Sequence, residues 1–231
     1  MKTIINSIRI VLPLLFLHLH SIAQEKKSTE TYIGIHGIPI ISTFHAPSAG
    51  SNLATYKPAI GIIAGLAGQF NFTSRFALRV ELNFEKNRYF EFPSYEGQII
   101  NIIALQPVNS KIDHIVHSSY NIALPVSMKF NFIHKEKINV FVNFGNYLNY
   151  KYCDRSTYFY KNGEKKRLDI NQSFKTTNNY DPGLLVGTGA DIRISKRIRL
   201  TMELRDQLNL TNVTSLRKNA IGILTGVVFK L

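Results

Sequence analysis

Apolar and polar residues alternate along much of this chain. From position 76, Phe76, Leu78, Val80, Leu82 and Phe84 lie on one side of an extended backbone, and Ala77, Arg79, Glu81, Asn83 and Glu85 lie on the other. A period of two sustained over ten residues predicts a β-strand with unlike faces. The pattern returns with Tyr120, Ile122, Leu124, Val126, Met128, Phe130 and Phe132, and again with Ile198, Leu200, Met202 and Leu204 set against Arg199, Thr201, Glu203 and Arg205. Weaker copies fill the remainder and predict strands at 32–44, 58–72, 75–88, 118–132, 137–151, 182–195, 197–210 and 219–231. No helical period competes beyond residue 24, so the expected class is all-β.

The connections alternate in length: long at 45–57, 89–117, 152–181 and 211–218, short at 73–74, 133–136 and 196. Long and short connections therefore collect at opposite ends of an antiparallel up-and-down sheet. Eight-stranded outer-membrane barrels place short turns in the periplasm and long loops outside. Strands of about 13 residues also exceed the roughly 9–11 that a tilted strand needs to cross a bilayer.

Period alone leaves open which face is inside, because a soluble barrel and a membrane barrel share it with opposite sign. Bulk decides. Phe, Leu, Met and Tyr crowd one face, while Gly, Ala and Ser mix with Arg and Glu on the other, and small residues with paired charges suit a narrow lumen. Arg79, Glu81, Glu85, Lys129, Asp191, Arg193, Arg199, Glu203 and Arg205 are the expected lumenal polar network. Tyr32, Phe44, Tyr89, Tyr120 and Phe132 are placed near strand ends, as interfacial girdles require.

Residues 1–23 carry Lys2 and Arg9, an apolar stretch from Ile10 to Leu17, and then Ser21-Ile22-Ala23, a small-x-small cleavage pattern. A signal peptide over 1–23 is expected, with cleavage between Ala23 and Gln24 and a barrel domain over 24–231. One cysteine, Cys153, excludes a disulfide-stapled scaffold, and the 45% apolar content excludes a disordered chain. The 28 Lys and Arg against 15 Asp and Glu give a formal charge of +13. They are scattered, and the densest group, 161–167, lacks interleaved aromatics. Outer-membrane lipid headgroups and lipopolysaccharide therefore suit this charge better than nucleic acid, alongside a solvated face with no partner.

The stretches IGIHGIPIIS (33–42), GIIAGLAGQFNFTSRFALRVELNFEKN (61–87), YNIALPVSMKFNF (120–132), DPGLLVGTGADIRISKRIRLTMELRD (181–206) and GVVFKL (226–231) resemble the PorT-like outer-membrane β-barrel proteins of Gram-negative bacteria. The resemblance implies an outer-membrane location, an eight-stranded barrel and, for one branch, an accessory role in protein secretion or surface assembly. It implies no catalytic residue and no cofactor. Asp206 departs from the pattern, standing where an aromatic is usual, which would place a carboxylate on the lipid-facing side and bears on where that strand ends.

Three groups invite chemistry. Asp113, His114 and His117 form DHxxH, whose residue types ligate zinc when a helix or folded loop aligns them; in a loop the ordinary reading is solvated polar residues. The same histidines beside Ser118 or Ser119 sketch a Ser–His–acid site, without a strained nucleophile turn. Cys153 offers a reactive thiol, a disulfide-linked dimer or no use at all. The expectation is no metal, no cofactor and no catalysis.

Aromatic segments of the long loops remain as a contact surface: Tyr89, Phe90, Phe92, Tyr95, Tyr152, Arg155, Tyr158, Phe159 and Tyr160. Tyr and Phe supply contact area at low entropic cost, and the same residues would equally pack loops together. The sequence thus reads as a non-enzymatic outer-membrane barrel with a filled lumen and outward-facing loops. A small channel and a soluble lipocalin-like barrel around an apolar ligand are the alternatives.

Overall fold

The computed structural model describes residues 30–45, 54–93, 112–170, 180–210 and 217–231. The expected leader, with Ala23 and Gln24, lies outside the described residues. Among them the strands are β1 Glu30–His45, β2 Ala54–Asn71, β3 Phe76–Pro93, β4 Ile112–His134, β5 Ile138–Tyr160, β6 Lys165–Ile170, β7 Tyr180–Arg193, β8 Ile198–Asn209 and β9 Arg217–Lys230. Every pairing is antiparallel, and the order β1-β2-β3-β4-β5-β7-β8-β9 closes through β9 on β1 into an eight-stranded ring. β6 stands outside the ring, hydrogen-bonded to the end of β5.

Short turns gather at one end. Thr73 Oγ1 accepts hydrogen bonds from the backbone N–H of Arg75 and Phe76, and Ser195 Oγ accepts them from Arg197 and Ile198. In both turns a hydroxyl takes the place of a backbone acceptor, which is why these residues close hairpins tightly.

At the opposite end the strands are longer than expected on one side. Stretches expected as loops, 89–93, 112–117, 152–160 and 165–170, are strand, with β4 and β5 each running 23 residues. The cross-strand aromatics and β-branched residues of these segments favour a pleated surface over a loop. The result is a wall formed by β2, β3, β4, β5 and β6 that rises above the rim made by β1, β9, β8 and β7. Gly163, at φ +86°, provides the left-handed residue in the turn between β5 and β6.

The burial is inside-out. Arg79, Glu81, Lys129, Glu203 and Arg205 are each at most 3% exposed, whereas Ile60 is 68%, Ile35 59%, Phe144 59% and Phe84 56% exposed. That sign removes the lipocalin-like alternative, because the outer surface of a soluble barrel could not carry this apolar band. Asp206 lies within β8 on its outer face, so its carboxylate does not end the strand.

Candidate functional site

The lumen is crossed by a closed ion square. β3 and β8 stand opposite one another in the ring. Arg205 on β8 donates to both oxygens of Glu81 on β3, 2.7 Å each, and to both oxygens of Glu203 at 2.9 and 3.2 Å. Arg79 bonds Glu81 at 2.7 Å and Glu203 at 3.0 Å. Asn83 donates through Nδ2 to Glu81 and accepts at Oδ1 from His36 Nε2, while Asn143 reaches Glu203. Two cations and two anions in mutual contact meet the requirement that buried charges be paired and hydrogen-bonded.

Further layers lie on either side of the square. Toward the short turns, Lys129 bonds Asp191 and Gln69, lies 3.9 Å from the Phe141 ring centroid, and Asp191 also accepts from Thr201. Toward the wall, Glu85 accepts from Gln207 and Asn87, and Ser42 donates to Asn87. Seven of the nine expected network residues thus meet in the lumen. Arg193 and Arg199 lie on the same inward face but outside that network: they face each other across β7 and β8 at the mouth of the short-turn end, half-buried, with Arg199 over the Tyr32 ring and 3.9 Å from Glu30.

The lumen also holds apolar side chains that the alternation argument excluded from it. Ile38, Ile40, Ile63, Ala220 and Leu224 cluster on the β1–β2–β9 side, and Phe141 and Leu185 are fully buried. Bulk fits because the neighbouring strand is bare: a Cβ on Gly189 would come within 2.9 Å of the Phe141 ring, and one on Gly183 would overlap Tyr147. Glycines facing aromatics across β5 and β7 were the available signal. Tyr32 is likewise lumenal, 2% exposed, and not part of a girdle; Tyr89 faces inward, Tyr120 and Phe132 face outward, and the Phe44 side chain is not among those described.

The expected contact surface divides between the two faces of the wall, because strand residues alternate. Outward lie Phe90, Phe92 and Phe159, gathered around His114, whose ring stacks on Phe159 at 4.4 Å and lies 5.8 Å from Phe92. Lys57 and Lys165 cap Phe92 and Phe159. Arg155 lies over Tyr120 and donates to its hydroxyl at 3.1 Å, and Tyr152 is 50% exposed beside Tyr120. Inward lie Tyr89, Tyr158 and the buried Tyr160, and Tyr95 is outside the described residues. Burial, followed by the Glu91 carboxylate, pushes the phenols of Tyr56, Tyr89 and Tyr158 upward, so they remain protonated.

DHxxH fails as a metal site for the same geometric reason. On a strand, positions three apart point to opposite faces: His114 faces out beside Asp113, and His117 faces in. Among the described residues no group of His, Cys, Asp and Glu is arranged to hold a metal ion. His117 instead bonds Glu91 at 2.7 Å and Ser156 at 2.9 Å, with Tyr89 stacked on it at 4.6 Å. The partner is Ser156, not Ser118 or Ser119. A Ser–His–acid chain this short invites a hydrolase reading, but Ser156 is 2% exposed, and on a strand paired on both sides the neighbouring N–H groups are taken by the ladder, which leaves no oxyanion donors. Its evident role is to tie β3, β4 and β5. Cys153 is a half-buried thiol with Sγ 4.0 Å from the Asp154 carbonyl oxygen.

An inverted eight-stranded ring with short turns at one end and a raised wall at the other defines an outer-membrane β-barrel protein of the Gram-negative type. Residues 23–215 match the family described as outer membrane protein beta-barrel domain, and the chain belongs to it. Among solved structures it is similar to OprG of Pseudomonas aeruginosa (10% identity, TM-score 0.50, 90% of this chain and 98% of that one). It is also similar to the Neisserial surface protein NspA (15%, 0.46, 87% and 97%) and to Ail of Yersinia pestis (10%, 0.43, 88% and 99%). No curated protein matches. The protein is located in the outer membrane.

Proposed function

We propose that the protein is a non-enzymatic outer-membrane barrel that acts through its raised wall, as a surface-binding or assembly component, with the lumen serving as a structural plug. The observation that carries this reading is the Arg79–Glu81–Glu203–Arg205 square, which spans the ring and joins opposite strands, leaving the wall as the part built for contact. The PorT-like resemblance supports a partner in a secretion or surface-assembly system, and the leader over 1–23 supplies the export such a role needs. The outer face of the wall combines aromatic anchors with Lys57, Arg155 and Lys165, a composition suited to a protein or an acidic glycan partner.

The test replaces Phe90, Phe92 and Phe159 with Ser on intact cells and compares crosslinked surface complexes with wild type. Loss of a specific complex, with the heat-dependent gel mobility of a closed barrel retained, is the expected result. An unchanged set of complexes would remove the wall from the function.

A further inference from the structure

The band of large apolar side chains on the lipid-facing surface has an interruption near the wall. Across β9, β1, β2 and β3, where Ile33, Ile35 and Phe84 would lead one to expect continued bulk, Gly37 and Pro39 face outward and leave a shallow open groove of about 440 Å³. Ile60 and Ile62, 68% and 56% exposed, form one side, and Thr225 the other. Pro39, Ile62 and Lys86 share one cross-strand row, and Lys86 and Arg88 close the groove on the side toward the wall.

Two observations show that this corner is unfinished by the protein itself. Arg88 Nε is shielded from solvent and has no hydrogen-bond partner, and a buried guanidinium donor left unmade is costly. A Cβ placed on Gly37 would meet nothing nearer than the Ile63 carbonyl oxygen at 3.9 Å, so the groove is open because a side chain is missing and not because packing forbids one. The inward-facing Gly34 and Gly65 differ: at Gly34 a Cβ would come within 2.7 Å of the Val227 carbonyl oxygen, and Gly65 lies against the Asn83 side chain.

We infer that this groove binds a phosphate-bearing lipid of the outer leaflet, one acyl chain lying over Gly37 and Pro39 and a headgroup phosphate held by Lys86 and Arg88. The chemistry fits on both counts. The floor is apolar and faces hydrocarbon, whereas the two cations stand where the apolar band gives way to the polar wall, at the level of the headgroups. Arg88 offers the donor fork that phosphate accepts, and Lys86 adds a point charge. The site depends on the outer-membrane location and not on the wall's role in partner binding.

Native mass spectrometry of the full chain in detergent, titrated with bisphosphorylated lipid A or with the same lipid dephosphorylated, tests it. Wild type is expected to retain the phosphorylated lipid on the order of tenfold more strongly, with Lys86→Gln/Arg88→Gln abolishing that preference. Gly37→Leu, which fills the floor without a clash, is expected to weaken retention of both lipids. Lys135→Gln/Lys137→Gln, exposed at the short-turn end, is the charge-matched control and should bind as wild type. Heat-dependent mobility reports that each variant has closed. Equal retention of the two lipids by wild type, an unaltered Lys86→Gln/Arg88→Gln preference, or unaltered binding by Gly37→Leu would each overturn the site. None of these results would bear on the surface complexes measured for the wall.

Discussion

Arg205 and Glu81 meet across the full width of the barrel, guanidinium to carboxylate, through two hydrogen bonds of 2.7 Å each. They belong to strands four places apart in a ring of eight, so no two strands of the ring are further separated than the pair they join. Both side chains are at most 2% exposed, so removing one leaves the buried square unbalanced, two cations sharing one anion or two anions sharing one cation.

Glu81→Gln is therefore expected to destabilise the barrel by about 3–5 kcal/mol, read as a lower urea midpoint in lipid vesicles. Glu81→Gln combined with Arg205→Met should cost less than the sum of the two single changes, since the double variant abandons no charge. Additive losses would show that the two residues do not act as a unit.

A lumen filled by the ion square should pass no ions. In planar bilayers the wild-type protein is expected to show no stable conductance, and Glu81→Ala/Arg205→Ala to show a small one. A steady wild-type current equal to that of the variant would favour the channel reading instead.

Lipid contact can be tested on the outer face. Leu66 is 54% exposed on β2, and Leu66→Arg should cost roughly 2–4 kcal/mol if it lies near the bilayer midplane, seen as loss of membrane-inserted, heat-modifiable protein. The same substitution at Ile60, beside Lys86 and Arg88, should cost much less. Equal costs would argue against a hydrocarbon boundary between the two positions.

Packing inside the barrel makes a separate prediction. At Gly222 a Cβ would lie 2.6 Å from the Pro39 carbonyl oxygen and within 2.8 Å of the Ile38 and Ile40 side chains. Gly222→Val should cost on the order of 1–3 kcal/mol or prevent closure, measured by the fraction of heat-modifiable protein.

Acid should loosen the short-turn end of the barrel. Burial opposes ionisation of Glu30, but hydrogen bonds from Lys230 and Tyr32 outweigh it and hold the carboxyl below its ordinary value of 4.5. A carboxylate with a depressed folded value contributes stability above its unfolded value, and that contribution fades as pH falls through the folded one. Hydrogen exchange at β1 and β9 should accelerate below about pH 4.5 in wild type. In Glu30→Gln that step should be absent, and its persistence would assign the effect elsewhere.

The sequence made the ring legible because alternation is a local signal: β8, expected at 197–210, is Ile198–Asn209. It also names all four residues of the ion square, since Arg and Glu on the small-residue face have few other places to go. Three things were hidden. Phe141 in the lumen depends on Gly189 of the partner strand, more than 40 residues away in the chain. The wall reads as loop in the sequence because its faces are both mixed, leaving no apolar–polar contrast to reveal strand period. Gly37 has no signature at all in one dimension; its significance comes from Ile62 and Lys86, which only register places beside it.

The position of the Arg205–Glu81 pair also bears on assembly. Hairpins form between neighbours, yet these two residues cannot touch in any hairpin or in any open sheet. They meet only when β9 has found β1. Until then each has within reach only the opposite charge two residues away on its own strand, Arg79 for Glu81 and Glu203 for Arg205, and closure joins the two pairs into the square. The pair consequently contributes nothing to early strand pairing and acts late, as a latch that engages once, when the circle has the right number of staves.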